Sequence, residues 1–63
     1  ARRSIVAAVD LSADHCIVEG DLAFRRPGTG LMPHEMNKVV GKRTREKVAA
    51  GTLLDINMLK DEA

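Results

Sequence analysis

The chain has 63 residues, 44% of them hydrophobic and 30% charged, with a formal net charge of +1 and one aromatic residue, Phe24. That length allows a single domain, residues 1–63, with a core built from Val, Ile, Leu, Met and Ala, which suits a compact body of short strands better than a large ligand cavity. A lone cysteine, Cys16, excludes an internal disulfide, and no apolar run is long enough for a membrane span or a signal-peptide core.

Residues 4–9, Ser4-Ile5-Val6-Ala7-Ala8-Val9, read as a first short strand. Residues 9–22 then superpose without a gap on residues 46–59, an offset of 37, which sets Leu11 on Val48, Ala13 on Ala50, Cys16 on Leu53, Ile17 on Leu54 and Leu22 on Leu59. Two similar strand-turn-strand units are expected from this echo. Asp14 falls where Gly51 sits, and Asp is among the few side chains that tolerate the left-handed turn conformation. Asp55 can cap a helical turn at residues 56–59, whereas its counterpart Val18 cannot, so the first turn is expected to be entered less regularly. Cys16, beside Ile17 and Val18, is expected to be a buried free thiol, as in a reducing compartment.

The segment Phe24-Arg25-Arg26-Pro27-Gly28-Thr29-Gly30 sets two guanidinium groups against a turn-forming Pro-Gly and a second glycine. Proline biases Arg26 toward extended backbone, and the glycines are expected to use left-handed dihedrals so that backbone approaches a neighbour closely. By residue type alone the loop is either a solvated connection or a surface for a ligand or partner.

Residues 33–41 read as a short helix: Pro33 suits the first position, Glu35 and Lys38 suit the dipole, Met36, Val39 and Val40 form an apolar face, and Gly41 suits the residue past the end. It is too short to stand without docking on the strands. Residues 44–48 read as a further strand, with Arg43, Arg45 and Lys47 alternating along a face toward water.

Charge is unevenly laid out. Residues 25–47 hold Arg25, Arg26, Lys38, Lys42, Arg43, Arg45 and Lys47 against Glu35 and Glu46. Such a region can meet nucleic acid, anionic sugars or phosphates, but nucleic acid is disfavoured without stacking platforms or a recognition helix. His15 and His34 have no second ligand at metal-like spacing and no evident Ser, Cys or Asp partner, so surface histidines are expected and no catalytic residue is assigned.

Four blocks, Arg2-Arg3-Ser4-Ile5-Val6-Ala7, Arg25-Arg26-Pro27-Gly28-Thr29-Gly30, Val40-Gly41-Lys42 and Ala50-Gly51-Thr52-Leu53-Leu54, resemble the C-terminal SAF, or antifreeze-like, domain of bacterial sialic acid and other nonulosonic acid synthases. The resemblance covers essentially the whole chain, and the fish type III antifreeze proteins share the fold. It implies a mostly β, β-clip domain of short strands with one-turn helices and a pseudo-two-fold internal repeat. In those synthases a TIM barrel condenses phosphoenolpyruvate with an N-acylated amino sugar, using a divalent metal, typically manganese, whose ligands belong to the barrel. The SAF domain, swapped across a homodimer, caps the partner protomer's barrel and directs an arginine at the N-acyl group.

On this resemblance that arginine is Arg26, Arg25 stands where the family usually has Lys, and Pro27, Gly28, Thr29 and Gly30 complete the substrate-facing loop. The domain itself is expected to need no cofactor, to be cytoplasmic, and to meet neither nucleic acid nor membrane. Asp14 replaces the usual turn glycine, and Val18 stands where a capping hydroxyl is common. The competing readings are a free ice-binding protein of the fish type, and an accessory domain of another sugar-acid enzyme or of pilus or flagellar assembly. Ice binding needs a flat, mostly apolar face, whereas the first unit carries Asp10, Asp14, His15, Glu19 and Asp21.

Overall fold

The computed structural model describes residues 3–26 and 28–60. Four short strands make two antiparallel two-stranded sheets: β1 (Ser4–Ala7) pairs with β2 (Leu22–Arg25), and β3 (Arg43–Thr44) with β4 (Leu59–Lys60). Single 3₁₀ segments, Glu19–Asp21, Pro33–Lys38 and Ile56–Met58, lead into or between the strands. The domain is therefore mostly β, with much of its backbone in turns.

The internal echo is a real pseudo-two-fold, and it reaches beyond the residues whose side chains match. Leu11 and Val48 exchange both backbone hydrogen bonds, each 2.8 Å. Around this pair a set of backbone contacts has twins 37 positions away in the other half. The amide of Ala7 donates to Thr52 O as that of Thr44 donates to His15 O, and Ile17 donates to Lys42 O as Leu54 donates to Ile5 O. The amides of Ala8 and Arg45 likewise reach Asp21 O and Met58 O, and the bridge Val6–Leu53 is matched by Cys16–Arg43. The left-handed turn residues coincide as expected, Asp14 at φ 61° and Gly51 at φ 89°.

Several local expectations are corrected. The entries to the two 3₁₀ turns are equally regular: Val18 (φ −114°, ψ 165°) and Asp55 (φ −138°, ψ 144°) are both extended, and both turns span three residues. Asp55 Oδ1 accepts from the Asn57 amide as expected, but the first turn has a substitute, since Asp21 Oδ2 accepts from the Val18 amide at 3.1 Å. Cys16 is exposed rather than buried. In extended backbone neighbours face opposite ways, and it is Ile17 that fills the core, with Cys16 turned outward beside Arg43.

The first strand ends at Ala7 and does not alternate. All four of its residues are buried: Ile5 and Ala7 face the core, while on the other face the returning loop covers Ser4 and Val6 is 4% exposed. The strand expected at residues 44–48 is likewise short. Pairing stops at Thr44, the chain bends, and only the bridge at Val48 resumes it, so Arg43, Arg45 and Lys47 do not share one strand face. Residues 33–38 are 3₁₀ rather than α, with Pro33 at the start, the Met32 amide received by Glu35 Oε1 at 3.0 Å, and Gly41 at φ 91° after the end. The segment docks through Val39, fully buried, and Met36, while Val40 is largely exposed.

The core joins both halves: Ile5, Ala7, Leu11 and Ile17 from the first meet Val48, Leu54 and Leu59 from the second, with Val39 from the connecting segment. Two buried polar side chains brace it. Thr44 Oγ1 accepts from the His15 amide at 3.0 Å and donates to Ser12 O at 2.7 Å, threading a hydroxyl into the first turn. The equivalent turn of the second half closes directly, Thr52 amide to Ala49 O at 3.1 Å, since Thr44's twin is Ala7. No buried side-chain polar atom among the described residues lacks a hydrogen bond.

Backbone conformation and packing separate cleanly at two glycines. A Cβ added at Gly51 or at Gly20 would meet nothing within 4 Å, but only Gly51 has a positive φ. Gly51→Ala is therefore expected to cost about 1–2 kcal/mol, the left-handed penalty of an L-residue, whereas Gly20→Ala should stay within about 1 kcal/mol of the parent. Urea unfolding of the two variants checks this, and equal midpoints would overturn the conformational account.

Candidate functional site

The loop after β2 is held at both ends by the same two residues. Arg25 pairs with Ser4 at the end of the β1–β2 ladder. Beyond the bend at Arg26 the chain returns to the same place: the Gly30 amide donates to Ser4 Oγ at 3.0 Å, and the Ile5 amide donates to Leu31 O at 2.8 Å. Ser4 is fully buried, so the anchor is shielded from water. A few residues are thus displayed from a fixed base.

The displayed residues differ. Arg26 is exposed, and its guanidinium makes no hydrogen bond or ion pair with any described residue. Arg25, also exposed, turns a terminal nitrogen back to Phe24 O at 3.1 Å, which occupies part of its donor set locally. Thr29 is exposed, and Gly28 and Gly30 are half-buried. Pro27, expected to shape the loop, lies outside the described residues, as does Arg2 of the opening motif.

Gly30 does not use a left-handed dihedral, contrary to expectation. A Cβ there would stand 3.4 Å from Leu54 O and within 4 Å of Leu53 and Ser4 side-chain carbons, ordinary van der Waals distances, so the loop lies against the second half at this residue without a steric demand for glycine. An open groove of about 440 Å³ follows this contact, lined by Thr29, Gly30 and Leu31 on the loop side and Leu53, Leu54, Asp55 and Met58 on the other.

Tertiary folding also gives His15 a partner that its sequence neighbourhood did not reveal. Its Nε2 lies 2.7 Å from Asp21 Oδ2. The two residues stand six positions apart and only the fold of the segment between them creates the contact; the Asp21 oxygen that receives it also accepts the Val18 amide. The pair is a local brace for the first 3₁₀ turn. No group of three or more His, Cys, Asp or Glu among the described residues is arranged to hold a metal ion, and no helix there is long and apolar enough to cross a membrane.

With this geometry in place, the affiliation can be stated. A family model for the SAF domain matches residues 2–60, and the chain belongs to that family. Among its relatives, the N,N'-diacetyllegionaminic acid synthase of Legionella pneumophila subsp. pneumophila (strain Philadelphia 1) is 43% identical over 53 residues, which make up 84% of this chain and 15% of that protein. The chain thus spans a small fraction of the length of the relative it matches.

Three carboxylates are held ionised by local contacts. The His15 hydrogen bond, then the Val18 amide, lowers the Asp21 pKa below the usual carboxylate range; the Met32 amide, then Lys38, does so for Glu35; and Lys60 does so for Asp14. A group whose folded pKa is depressed contributes stability above its unfolded pKa, about 4 for carboxylates, and that contribution is lost as pH falls through the folded value. The stability gap between the parent chain and Asp21→Asn should accordingly be widest at neutral pH and narrow as pH is lowered from about 5 toward 2. Unfolding midpoints across that range provide the check, and a gap independent of pH would refute the assignment of the Asp21 charge to this brace.

Proposed function

We propose that this chain serves a nonulosonic acid synthase as its non-catalytic C-terminal lid. In this reading it caps the barrel of the partner protomer in a cytoplasmic homodimer and orients the N-acylated amino sugar that the barrel condenses with phosphoenolpyruvate. The carrying observation is Arg26, an exposed guanidinium with no partner among the described residues, on a loop fastened at both ends to Ser4 and Ile5. An unspent planar donor fork on a fixed base suits recognition of an oxygen acceptor outside the domain.

The relative's printed name supports the substrate class, since a synthase of an N,N'-diacetylated product handles acyl oxygens of the kind such a fork receives. The lid's contribution is positional. It would hold the acyl group in one orientation and help exclude water, while condensation and the divalent metal, manganese on the family resemblance, belong to the barrel. Gly30 and Ser4 act through the loop, keeping it low against the second half so that Arg26 is presented and not folded back. Exposed Asp10, Asp14 and Glu19 leave strongly hydrated charge on the first half, which weighs against free ice binding.

The test uses the full-length synthase. Arg26→Ala is expected to lower kcat/KM by about 2–4 kcal/mol in transition-state stabilisation, because each charge-assisted hydrogen bond contributes about 1.5–3 kcal/mol and the acceptor is left poorly paired. Arg26→Lys should recover part of the loss, and Arg25→Ala should be much milder. Near-parental turnover by Arg26→Ala at sub-saturating sugar, or equal losses for both arginines, would reject the lid-arginine reading.

A further inference from the structure

Arg45 is fixed in place without using its outer nitrogens. Its amide donates to Met58 O at 2.8 Å and its Nε to Leu59 O at 3.0 Å, so both backbone and guanidinium are tied to the end of the Ile56–Met58 turn. The two Nη groups make no hydrogen bond or ion pair with any described residue. Two open grooves meet at this side chain and at Asn57, one of about 370 Å³ that also takes in Lys47, the other of about 180 Å³ that takes in Lys38 and Lys42. Glu46 lines the first groove and Glu35 pairs with Lys38 at 3.2 Å, so among the described lining residues Arg45 and Lys47 outnumber the one carboxylate left. Its lining is also apolar, through Val48 and Met58 in the first groove and Ile56, 48% exposed, in the second.

The fold does not demand these cations. At the equivalent positions of the other half stand Ile5 for Lys42, Ala8 for Arg45 and Asp10 for Lys47, within the same hydrogen-bond framework. A single small anion would occupy one groove and leave the apolar lining uncovered. Two adjoining grooves, lined by both cationic and apolar side chains about a pre-oriented guanidinium, match an extended chain with acidic and aliphatic side chains.

We propose that the trough across Arg45 and Asn57 is a docking site for an acidic, partly apolar polypeptide segment, one carboxylate of which is received by the Arg45 Nη groups. The trough shares no residue with the Arg26 loop, and its occupancy does not depend on whether that loop orients a sugar.

The test is an NMR titration of the ¹⁵N-labelled chain with the peptide acetyl-Glu-Leu-Glu-Leu-Glu-amide, with citrate as a small-anion arm and the Lys-for-Glu peptide as a charge control. Saturable shifts are expected at Arg45 Nε–H, Lys47, Ile56 and Asn57 with the acidic peptide, with far weaker response to citrate and none to the basic peptide. Arg45→Gln should weaken peptide binding about tenfold or more and Arg45→Lys less, since the ammonium keeps the charge but loses the fork. Lys47→Gln breaks no hydrogen bond among the described residues and should weaken binding about threefold with an unchanged free spectrum, which keeps the test decisive if Arg45→Gln perturbs the fold. Citrate binding as tightly as the peptide, shifts centred on Arg25 and Arg26, absence of saturable shifts, or undiminished binding by Lys47→Gln would each overturn the proposal.

Discussion

The reciprocal backbone pair between Leu11 and Val48 is the constraint on which the rest of the domain depends. It lies where the pseudo-two-fold relates a residue to its own partner, and backbone bonds on either side of it recur 37 positions apart in the two halves. A chain of this size has little apolar surface to bury, and stacking two copies of one unit face to face lets each supply the other's missing neighbour. Ile17 and Leu54 show the result: both are buried, and each donates its amide across the interface to the opposite half.

Symmetry of backbone leaves side chains free to diverge, and the differences between halves are where function can reside. Thr44 inserts a hydroxyl into the first turn where Ala7 leaves the second turn to close on itself. Asp55 caps one 3₁₀ turn directly, whereas the other is held by Asp21 with His15 behind it. Arg45 and Lys47 replace Ala8 and Asp10, giving the second half a cationic surface that the first lacks. The caps and the cations leave the paired backbone bonds as they are, whereas the Thr44 hydroxyl takes the His15 amide and the Ser12 carbonyl, whose equivalents at Thr52 and Ala49 bond each other directly.

The Arg26 loop depends on the same economy. Its base is the edge of β1, where buried Ser4 and Ile5 receive both ends, and its underside rests on Leu54 O through Gly30. The display of Arg26 therefore follows from core formation and needs no rigid element of its own.

What depends on neighbours along the chain was legible in the sequence: the register of the two halves, the left-handed positions at Asp14 and Gly51, the Asp55 cap and the Pro33 start. Each of these is a dihedral preference or a hydrogen bond reaching only a few residues. Tertiary structure decided the rest, for reasons the same preferences could not express. Ser4 became a buried anchor only when Gly30 arrived from 26 positions away, and Thr44 entered the first turn across 29. Cys16 turned outward because Ile17 was claimed by a core assembled from both halves, and β1 lost its alternation because its second face is covered too, at Ser4 by the returning loop. Likewise the two arginines of one dipeptide parted, Arg25 turned back on Phe24 O while Arg26 stayed without a partner among the described residues, since the strand ladder ends between them.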